Sequence, residues 1–413
     1  MHRRIRQSAL YLAPLALVSL TACSVGSQAI PEPTAQITVW ADESRTAALE
    51  TLGERYAAQT GVQVQVVGRD NETMRDDFSR AVDQGDGPDV LVGAHDWLGQ
   101  LVSTGSVLAI DLPDPSSFVS VAVEAMAYDH VTYGVPLSTE NVALVRNDAL
   151  VSTTPATFDE LVAQGEDLVR RGVATHPLLL QQTESASDPY HLYPLQTSFG
   201  APVFATNEDG SYSDQLALGG EAGHAYADYL AELGSRGVLD PTITADVAKA
   251  EFLAGRSPYI VTGPWNTGEF LAAGLQISVL PIPPAGPLAS QPFVGVQGAF
   301  VNSASMRAAE ATAFVTEFLA TADAQVTLFR ESGRAPALRA AVDLITDDAV
   351  VRGFSAAGAD GAPMPSIPQM SVVWTFWGGS EHLVISRDRD AHTAWDEMVA
   401  GIAAAISSEE LGV

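Results

Sequence analysis

The sequence predicts an α/β fold built as two lobes. From Ile37 onward, short apolar runs alternate with helix-like segments, a pattern typical of sheets that are covered by helices. The chain has 413 residues, 46% of them hydrophobic, which is more than one single-core domain normally accommodates. We therefore expect two lobes.

The segments that follow Ile37 carry the clearest signal. "ITVW" predicts a strand, "TAALETLGERYAAQT" a helix with Ala48, Leu49, Leu52 and Tyr56 on one face, and "VQVQVV" a second strand. "ETMRDDFSRAVDQG" then predicts a helix and "DVLVG" a continuously apolar third strand. This alternation predicts a mostly parallel sheet covered on both faces, with a ligand crevice beyond the carboxyl ends of its strands.

Further along the chain the same alternation continues. "YGVPLSTENVALVRN" contains two strand-like runs separated at Glu140, and a helix-rich section begins near Thr157. "TNEDGSY" predicts a hairpin turn, and "KAEFLAGRSPYIVTGPW" predicts a helix followed by a strand that ends near Trp265. "ISVLPIPPAGPLASQPFVGVQGAFVN" predicts two strands joined by a loop rich in proline and glycine. Alanine-rich segments at 306–322 and 391–407 predict helices.

The N-terminus is typical of an exported protein. Residues 1–22 combine three arginines with an apolar run of about a dozen residues, which is shorter than the roughly 20 that span a bilayer and fits a signal peptide. "LTAC" resembles the lipobox of bacterial lipoproteins, which implies that Cys23 is acylated and anchors the chain to the outer face of the cytoplasmic membrane. Residues 23–36 then form a tether. Cys23 is the only cysteine, so no intrachain disulfide can form.

Charge and missing motifs exclude several function classes. Fifty acids against 21 bases give a net charge of −29, which argues against nucleic-acid binding. The eight histidines lack H-E-x-x-H spacing, and no G-x-S-x-G elbow, phosphate-binding loop or dinucleotide fingerprint occurs. We therefore expect no catalytic residue, no metal and no cofactor.

Carboxylates and aromatic rings recur together at the ends of predicted elements. An aromatic face packs against the apolar side of a sugar ring, and a carboxylate accepts strong hydrogen bonds from adjacent hydroxyls. This mixture predicts a carbohydrate site. The candidate ligand-binding residues are Asp42, Glu43, Arg45, Asp96, Trp97, Glu140, Asp188, Tyr190, Trp265 and Trp374.

Each candidate also has a structural interpretation. Asp42 could supply charge at a helix start, Asp96 could be an N-cap, and Asp188 precedes a proline as many helix starts do. Trp374 and Trp377, three residues apart, suit a core face. A glycosidase is a further alternative, because it needs only two carboxylates about 5 to 10 Å apart.

Six ordered motifs resemble the maltose/maltodextrin-binding proteins of bacterial ABC importers: "GDGPDVLVGAHDWLG", "YGVPLSTENVALVRN", "DPYHLYPL", "GRSPYIVTGPW", "QPFVGVQGAFVN" and "MPSIPQMSVVWTFW". The resemblance implies a two-lobe periplasmic-binding-protein-like fold with hinge strands and a ligand cleft between the lobes. It also implies an α-glucoside ligand that is not cleaved, an ABC permease as partner, and a monomer. The implied N-terminal lobe is 37–137 plus about 298–338, the C-terminal lobe 143–292 plus about 339–413, and the hinge crossings 138–142 and 293–297.

The resemblance also implies roles for individual residues. Asp42 and Arg45 would make polar sugar contacts, Asp96 matches the acid of "HD", and Glu140 the acid of the hinge motif. Asp188 replaces a glutamate before Pro-Tyr, Tyr190 would stack on sugar, and Trp265 and Trp374 match the tryptophans of "GPW" and "PQMSVVW". Gly93, Trp97 and Thr375 depart from some members at the outer subsites. Chain length and linkage therefore stay open, with trehalose or another disaccharide as an alternative to maltodextrin.

Overall fold

We describe a computed structural model of the protein, which covers residues 35–183, 185–207 and 211–410. The predicted signal peptide, Cys23 and nearly all of the tether lie outside these residues. The tip of the "TNEDGSY" turn, residues 208–210, also lies outside them. No helix in the covered ranges is long and apolar enough to cross a membrane.

The strands of the described chain form two main sheets and two hairpins. They are β1 (Gln36–Asp42), β2 (Gln63–Arg69), β3 (Val90–Ala94), β4 (Ala127–Tyr128), β5 (Val131–Thr132), β6 (Gly134–Glu140), β7 (Ala143–Asn147), β8 (Leu179–Leu180), β9 (Phe204–Thr206), β10 (Tyr212–Leu216), β11 (Tyr259–Thr262), β12 (Ile277–Leu280), β13 (Phe293–Val301), β14 (Ala335–Pro336) and β15 (Ala362–Pro363).

The α-helices are interspersed with short 3-10 turns and one π-helical segment. They are α1 (Glu43–Thr60), α2 (Asn71–Gln84), α3 (Leu98–Ser103), α4 (Ser120–Ala125), α5 (Phe158–Arg170), α6 (Pro189–Ser198), α7 (Gly220–Ser235), α8 (Ala245–Leu253), α9 (Thr267–Ala272), α10 (Ala308–Ala313), α11 (Ala322–Ser332), α12 (Arg339–Val342), α13 (Ala349–Ala357), α14 (Gln369–Ser386) and α15 (Ala391–Glu410). The 3-10 turns are His95–Trp97, Pro115–Ser117 and Pro264–Asn266, and the π-helix is Phe314–Leu319.

The local predictions from periodicity are largely confirmed. The expected face of α1, from Ala48 to Tyr56, is buried, and β3 is buried along its whole length. β9 and β10 pair as a hairpin around the "TNEDGSY" turn. The predicted helix at 391–407 is α15, whereas the one predicted at 306–322 consists of α10 and the π-helix and ends before α11 begins.

The larger sheet has seven strands in the order β14-β6-β13-β3-β1-β2, with β15 beside β13. β1 pairs parallel with β2 and β3, but β13 runs antiparallel to both β3 and β6. The expectation of a mostly parallel sheet is therefore wrong. Crossover helices fix the direction of the first three strands only, whereas β13 arrives much later in the chain and inserts from the opposite direction.

The smaller sheet has four strands in the order β12-β7-β11-β8. The chain passes into it between Glu140 and Ala143 and returns to the larger sheet between Leu280 and Phe293. Thr262, the last residue of β11, pairs with Ala143 at the start of β7. The edge where β8 and β11 end therefore lies beside the edge where β6 ends. Side chains that follow these strands meet between the two sheets.

Candidate ligand-binding site

A buried charge cluster lies where β1 and β6 end. Asp42 accepts a hydrogen bond from the Ser44 backbone as the N-cap of α1 and is ion-paired with Arg45. Arg45 also lies 3.7 Å from a carboxylate oxygen of Glu140, which is ion-paired with Arg334. The cluster has two positive and two negative charges and is therefore neutral overall. Asp42 is thus a helix N-cap, in agreement with its structural interpretation from the sequence. It also lies within the candidate site.

Charge pairing decides the ionisation of this cluster. Burial alone would raise the pKa of Glu140, but Arg334, Arg45 and a 2.6 Å hydrogen bond from Gln297 outweigh it and lower that pKa. Burial, and then the charge of Arg334, lowers the pKa of Arg45 to about 9, so Arg45 is still a cation at neutral pH. Glu140 is consequently a fixed anion between two cations.

Asp96 follows β3 on the 3-10 turn His95–Trp97. Its neighbour His95 anchors that turn, because Nδ1 accepts from the Val296 N–H at 3.1 Å and Nε2 donates to the Met364 carbonyl at 3.0 Å. Burial raises the pKa of Asp96. Its Oδ2 accepts a 3.1 Å hydrogen bond from Nε1 of Trp374. Asp96 does not cap the turn, which has Ala94 at that position and no side-chain cap.

The smaller sheet contributes Asp188, Tyr190 and Trp265. Asp188 caps α6 through the His191 N–H at 3.2 Å and accepts from Gln181 at 2.7 Å, so its carboxylate is largely engaged. Burial would raise the pKa of Asp188, but His191 and Gln181 outweigh it and lower that pKa. Tyr190 lies in the first turn of α6, and burial followed by the charge of Glu140 raises its pKa well above the ordinary value.

Trp265 lies on the 3-10 turn that follows β11. A Cβ atom added to Gly263 would lie 2.0 Å from its indole ring, so only glycine lets the ring fold back over the end of the strand. The guanidinium of Arg334 lies 5.2 Å from the centre of this ring. Trp265 is half-buried and lines a groove of about 660 Å³ together with Ser44.

A row of rings connects the two ends of the site. Trp374 lies 6.3 Å from Phe293 between ring centroids, Phe293 lies 6.4 Å from Tyr190, and Tyr190 lies 6.5 Å from Trp265. Together with Asp96 beside Trp374, and Arg334 beside Trp265, this row is continuous with the charge cluster. Eight of the ten candidate residues thus lie in this row or the charge cluster, or adjoin them as Asp188 does beside Tyr190.

Trp374 and Trp377 differ in their surroundings although both belong to α14. Trp377 is fully buried, and its Nε1 donates to Gln196 at 3.1 Å, so it is a core residue. Trp374 is half-buried, and its neighbours Ser371 and Thr375 line a second groove of about 520 Å³. The opposite wall of that groove includes Arg75 and Gln100, which belong to α2 and α3.

Two candidates lie apart from this arrangement. Glu43 is exposed at the start of α1, outside the buried charge cluster. Trp97 is 7% exposed and packs back onto the larger sheet, where a Cβ added to Gly93 would lie 2.2 Å from its ring. Position 93 therefore requires glycine, because the Trp97 ring occupies the space that a side chain would need.

Several buried polar atoms of the site have no hydrogen-bond partner among the described residues. They are Oδ1 of Asp96, Oη of Tyr190, Nη2 of Arg45 and Oε1 of Gln297. The set contains both donors and acceptors, which is what a polyhydroxyl ligand requires. No group of three or more His, Cys, Asp or Glu residues in the described ranges could hold a metal ion.

Sequence reasoning missed three members of the site. Phe293 and Gln297 lie within the predicted hinge crossing. An aromatic ring and a side-chain amide among small residues could have marked them as candidates for the site. Arg334 follows a glycine at the end of α11, and no periodic pattern surrounds it. Only the side-chain contacts of Arg334 in the structure identify it as a member of the site.

Comparison with known proteins identifies the family. A family model described as bacterial extracellular solute-binding protein matches residues 51–352. The chain is similar to the maltotriose-binding protein of Thermus thermophilus, solved with maltotriose bound, with a TM-score of 0.82 and 30% identity over 90% of this chain and 100% of that chain. This likeness confirms the predicted two-lobe α/β fold.

Curated relatives agree with this result. A maltooligosaccharide ABC transporter solute-binding lipoprotein of Streptococcus pneumoniae is 25% identical, over 97% of each chain. A maltotriose-binding protein of Pyrococcus abyssi is 26% identical over 79% of this chain and 71% of the relative. The resemblance that the six motifs indicated is confirmed. The chain therefore belongs to the bacterial extracellular solute-binding proteins, a family of binding proteins that act outside the cytoplasm.

Proposed function

We propose that this protein captures a maltodextrin-type α-glucoside between its two lobes and delivers it to the permease of an ABC importer. The observation that carries the proposal is the set of buried atoms on Asp96, Tyr190 and Gln297 that have no hydrogen-bond partner among the described residues, next to the rings of Trp265 and Trp374. Sugar hydroxyls would satisfy these atoms, and the sugar faces would pack on the rings. The names of the relatives support the same ligand class.

In this proposal the lobes close about the hinge crossings 138–142 and 293–297. The N-terminal lobe is 37–137 plus about 298–338, and the C-terminal lobe is 143–292 plus about 339–413. Support comes from the two sheets, since the chain changes sheet between Glu140 and Ala143 and again before Phe293. A ligand that contacts both lobes would shift the equilibrium towards the closed form.

We infer that the sugar is bound without being cleaved. A glycosidase needs two available carboxyl groups, one of them a proton donor or nucleophile. Glu140 is held between two arginines, and Asp188 is engaged by Gln181 and His191. Of these three carboxylates, only Asp96 combines a raised pKa with an oxygen that lacks a hydrogen-bond partner among the described residues. One such carboxylate suits binding better than hydrolysis.

We further propose a monomer whose acylated Cys23 anchors it to the outer face of the cytoplasmic membrane. The "LTAC" motif and the lipoprotein name of the Streptococcus pneumoniae relative support the anchor. Mass spectrometry of the protein from a membrane fraction would test it. A mature N-terminal peptide that begins with unmodified Cys23, or that retains residues 1–22, would contradict the proposal.

Titration calorimetry of the purified protein tests the ligand. We expect maltose, maltotriose or maltotetraose to bind with a dissociation constant in the micromolar range, since a disaccharide of about 23 heavy atoms gains roughly 0.3 kcal/mol per atom. Trehalose and sucrose, titrated in parallel, test the disaccharide alternative. Product analysis after incubation with maltotriose tests for cleavage, and turnover would reject the binding proposal.

Two variants test the site itself. Trp265→Ala and Trp374→Ala should each weaken binding by several kcal/mol at most, because each removes one aromatic face. Tyr128→Ala, at a half-buried aromatic outside the site, is the matched control. Circular dichroism checks that each variant folds. If both tryptophan variants are folded and bind sugar as the wild type does, the assigned site is wrong.

A further inference from the structure

Arg334 lies between α11 and β14 and contacts both sides of the site. Its side chain is 8% exposed and ion-paired with Glu140 at the end of β6. Its Nη1 donates to the Ser44 hydroxyl at 2.8 Å, and its guanidinium lies 5.2 Å from the centre of the Trp265 ring. Glu140 ends β6 and Ser44 follows β1, both strands of the larger sheet, whereas Trp265 follows a strand of the smaller one.

The backbone beside Arg334 packs equally closely across the same boundary. Gly333 ends α11 with a φ of 70°, in the left-handed region that favours glycine. A Cβ atom added there would lie 2.6 Å from the carbonyl oxygen of Pro264, the residue before Trp265. The absence of a side chain at 333 therefore lets the end of α11 rest on the turn that holds Trp265.

The guanidinium is suited to this position in a way that an ammonium is not. It is planar and weakly hydrated, so it can bond to a carboxylate along one edge while a flat face lies on an indole ring. Glu140 fixes the first contact, and Trp265 provides the second. Both contacts are made to protein groups.

We propose that Arg334 is a positioning residue that holds the Trp265 ring against the lobe of the larger sheet in the closed form. We call this contact between Arg334 and Trp265 the latch. The inference rests on the proposed function, because a latch matters only if the lobes open and close around a ligand. Opening would separate Arg334 from Trp265, so the contact favours the closed form. A ligand that binds only the closed form gains affinity in proportion to the closed population. Every sugar that the protein binds should therefore benefit by the same factor.

Calorimetry of Arg334→Lys with maltose, maltotriose and maltotetraose tests the latch. Lysine keeps the positive charge beside Glu140 but loses the planar contact. We expect dissociation constants roughly three- to tenfold higher, by one common factor for all the sugars that bind. Arg339→Lys, at an exposed arginine five residues later, is the matched control and should bind as the wild type does.

A second background separates the latch from a purely structural role. In Trp265→Leu the ring is gone, so adding Arg334→Lys should cost no further affinity. An equal loss in both backgrounds would mean that Arg334 acts through Glu140 or Ser44 and not through Trp265, and would overturn the latch. A factor that differs between sugars would also overturn it, because it indicates direct ligand contact. If the wild type binds sugar and Arg334→Lys binds it with the same dissociation constant, the latch is refuted and the proposed function stands. If the wild type binds no sugar, both proposals are refuted.

Discussion

Replacement of Asp96 by asparagine should weaken sugar binding and stabilise the fold at neutral pH. Oδ2 of Asp96 accepts from Trp374, whereas Oδ1 is buried without a partner among the described residues. Asparagine has a single oxygen, which the Trp374 donor would occupy. The amide nitrogen would then lie where Oδ1 was, and it cannot accept a hydrogen bond from a sugar hydroxyl.

The size of the binding effect follows from the bond that is lost. A hydrogen bond to a charged group contributes about 1.5 to 3 kcal/mol, so the dissociation constant should rise roughly 10- to 150-fold. The effect on folding has the opposite sign. Burial raises the pKa of Asp96, so the folded state holds its proton more tightly than the unfolded state does. The free energy of unfolding therefore falls as pH rises above the ordinary aspartate pKa, and the neutral asparagine avoids that loss.

Calorimetry with maltotriose and urea unfolding, both performed at pH values on either side of the raised pKa, measure the two effects. Asp360→Asn, at an exposed aspartate, is the control and should change neither. Unchanged affinity in Asp96→Asn would mean that Oδ1 does not meet the sugar. A variant that is less stable than the wild type at neutral pH would show that the buried charge is not the dominant cost at this position.

Three further substitutions test the electrostatics and the backbone. Glu381→Gln should be more stable than the wild type at neutral pH. Burial raises the pKa of Glu381 well above its ordinary value, so the wild type loses stability as pH rises above the ordinary glutamate pKa; equal urea midpoints across pH would contradict this. Gly333→Ala should lower the free energy of unfolding by about 1 to 3 kcal/mol through its left-handed φ and the contact with Pro264, and an unchanged melting temperature would refute it. Glu140→Gln should cost about 3 to 5 kcal/mol of stability by leaving two buried arginines underneutralised. The wild-type contribution of Glu140, whose pKa is lowered, should be present above the ordinary glutamate pKa and disappear as pH falls through the lowered value, so urea unfolding of the variant should depend less on acid pH.

Local periodicity explains why much of the fold could be predicted. The segments from β1 to β3 appear where the sequence places them, since each has its own apolar pattern and short connections. The direction of β13 could not be predicted in the same way. It pairs with β3 and β6, which lie far earlier in the chain, and no local pattern encodes which strands become neighbours.

Residue type and element end together predict part of the candidate site. Asp96 and Trp265 combine a carboxylate or an indole with the first turn after a strand, so position and chemistry agree. Asp42 and Asp188 show why the structural and functional interpretations could not be separated from sequence. Each caps a helix, and each also lies beside the charged or aromatic groups of the site.

Unpartnered atoms connect the stability of the protein to the proposed closure. Oδ1 of Asp96 and Oη of Tyr190 have no hydrogen-bond partner in the described part of the chain. Burying each atom in this way costs about 1 to 3 kcal/mol, and the cost would be present only while the lobes exclude water. Sugar hydroxyls at these atoms would remove the cost in the closed form and change the open form much less. In the proposed closure, the same atoms that make the empty closed form unfavourable would give a sugar its differential affinity for that form. A ligand of similar size and shape but without hydroxyls should consequently fail to close the lobes, even though the rings of Trp265 and Trp374 could accept it.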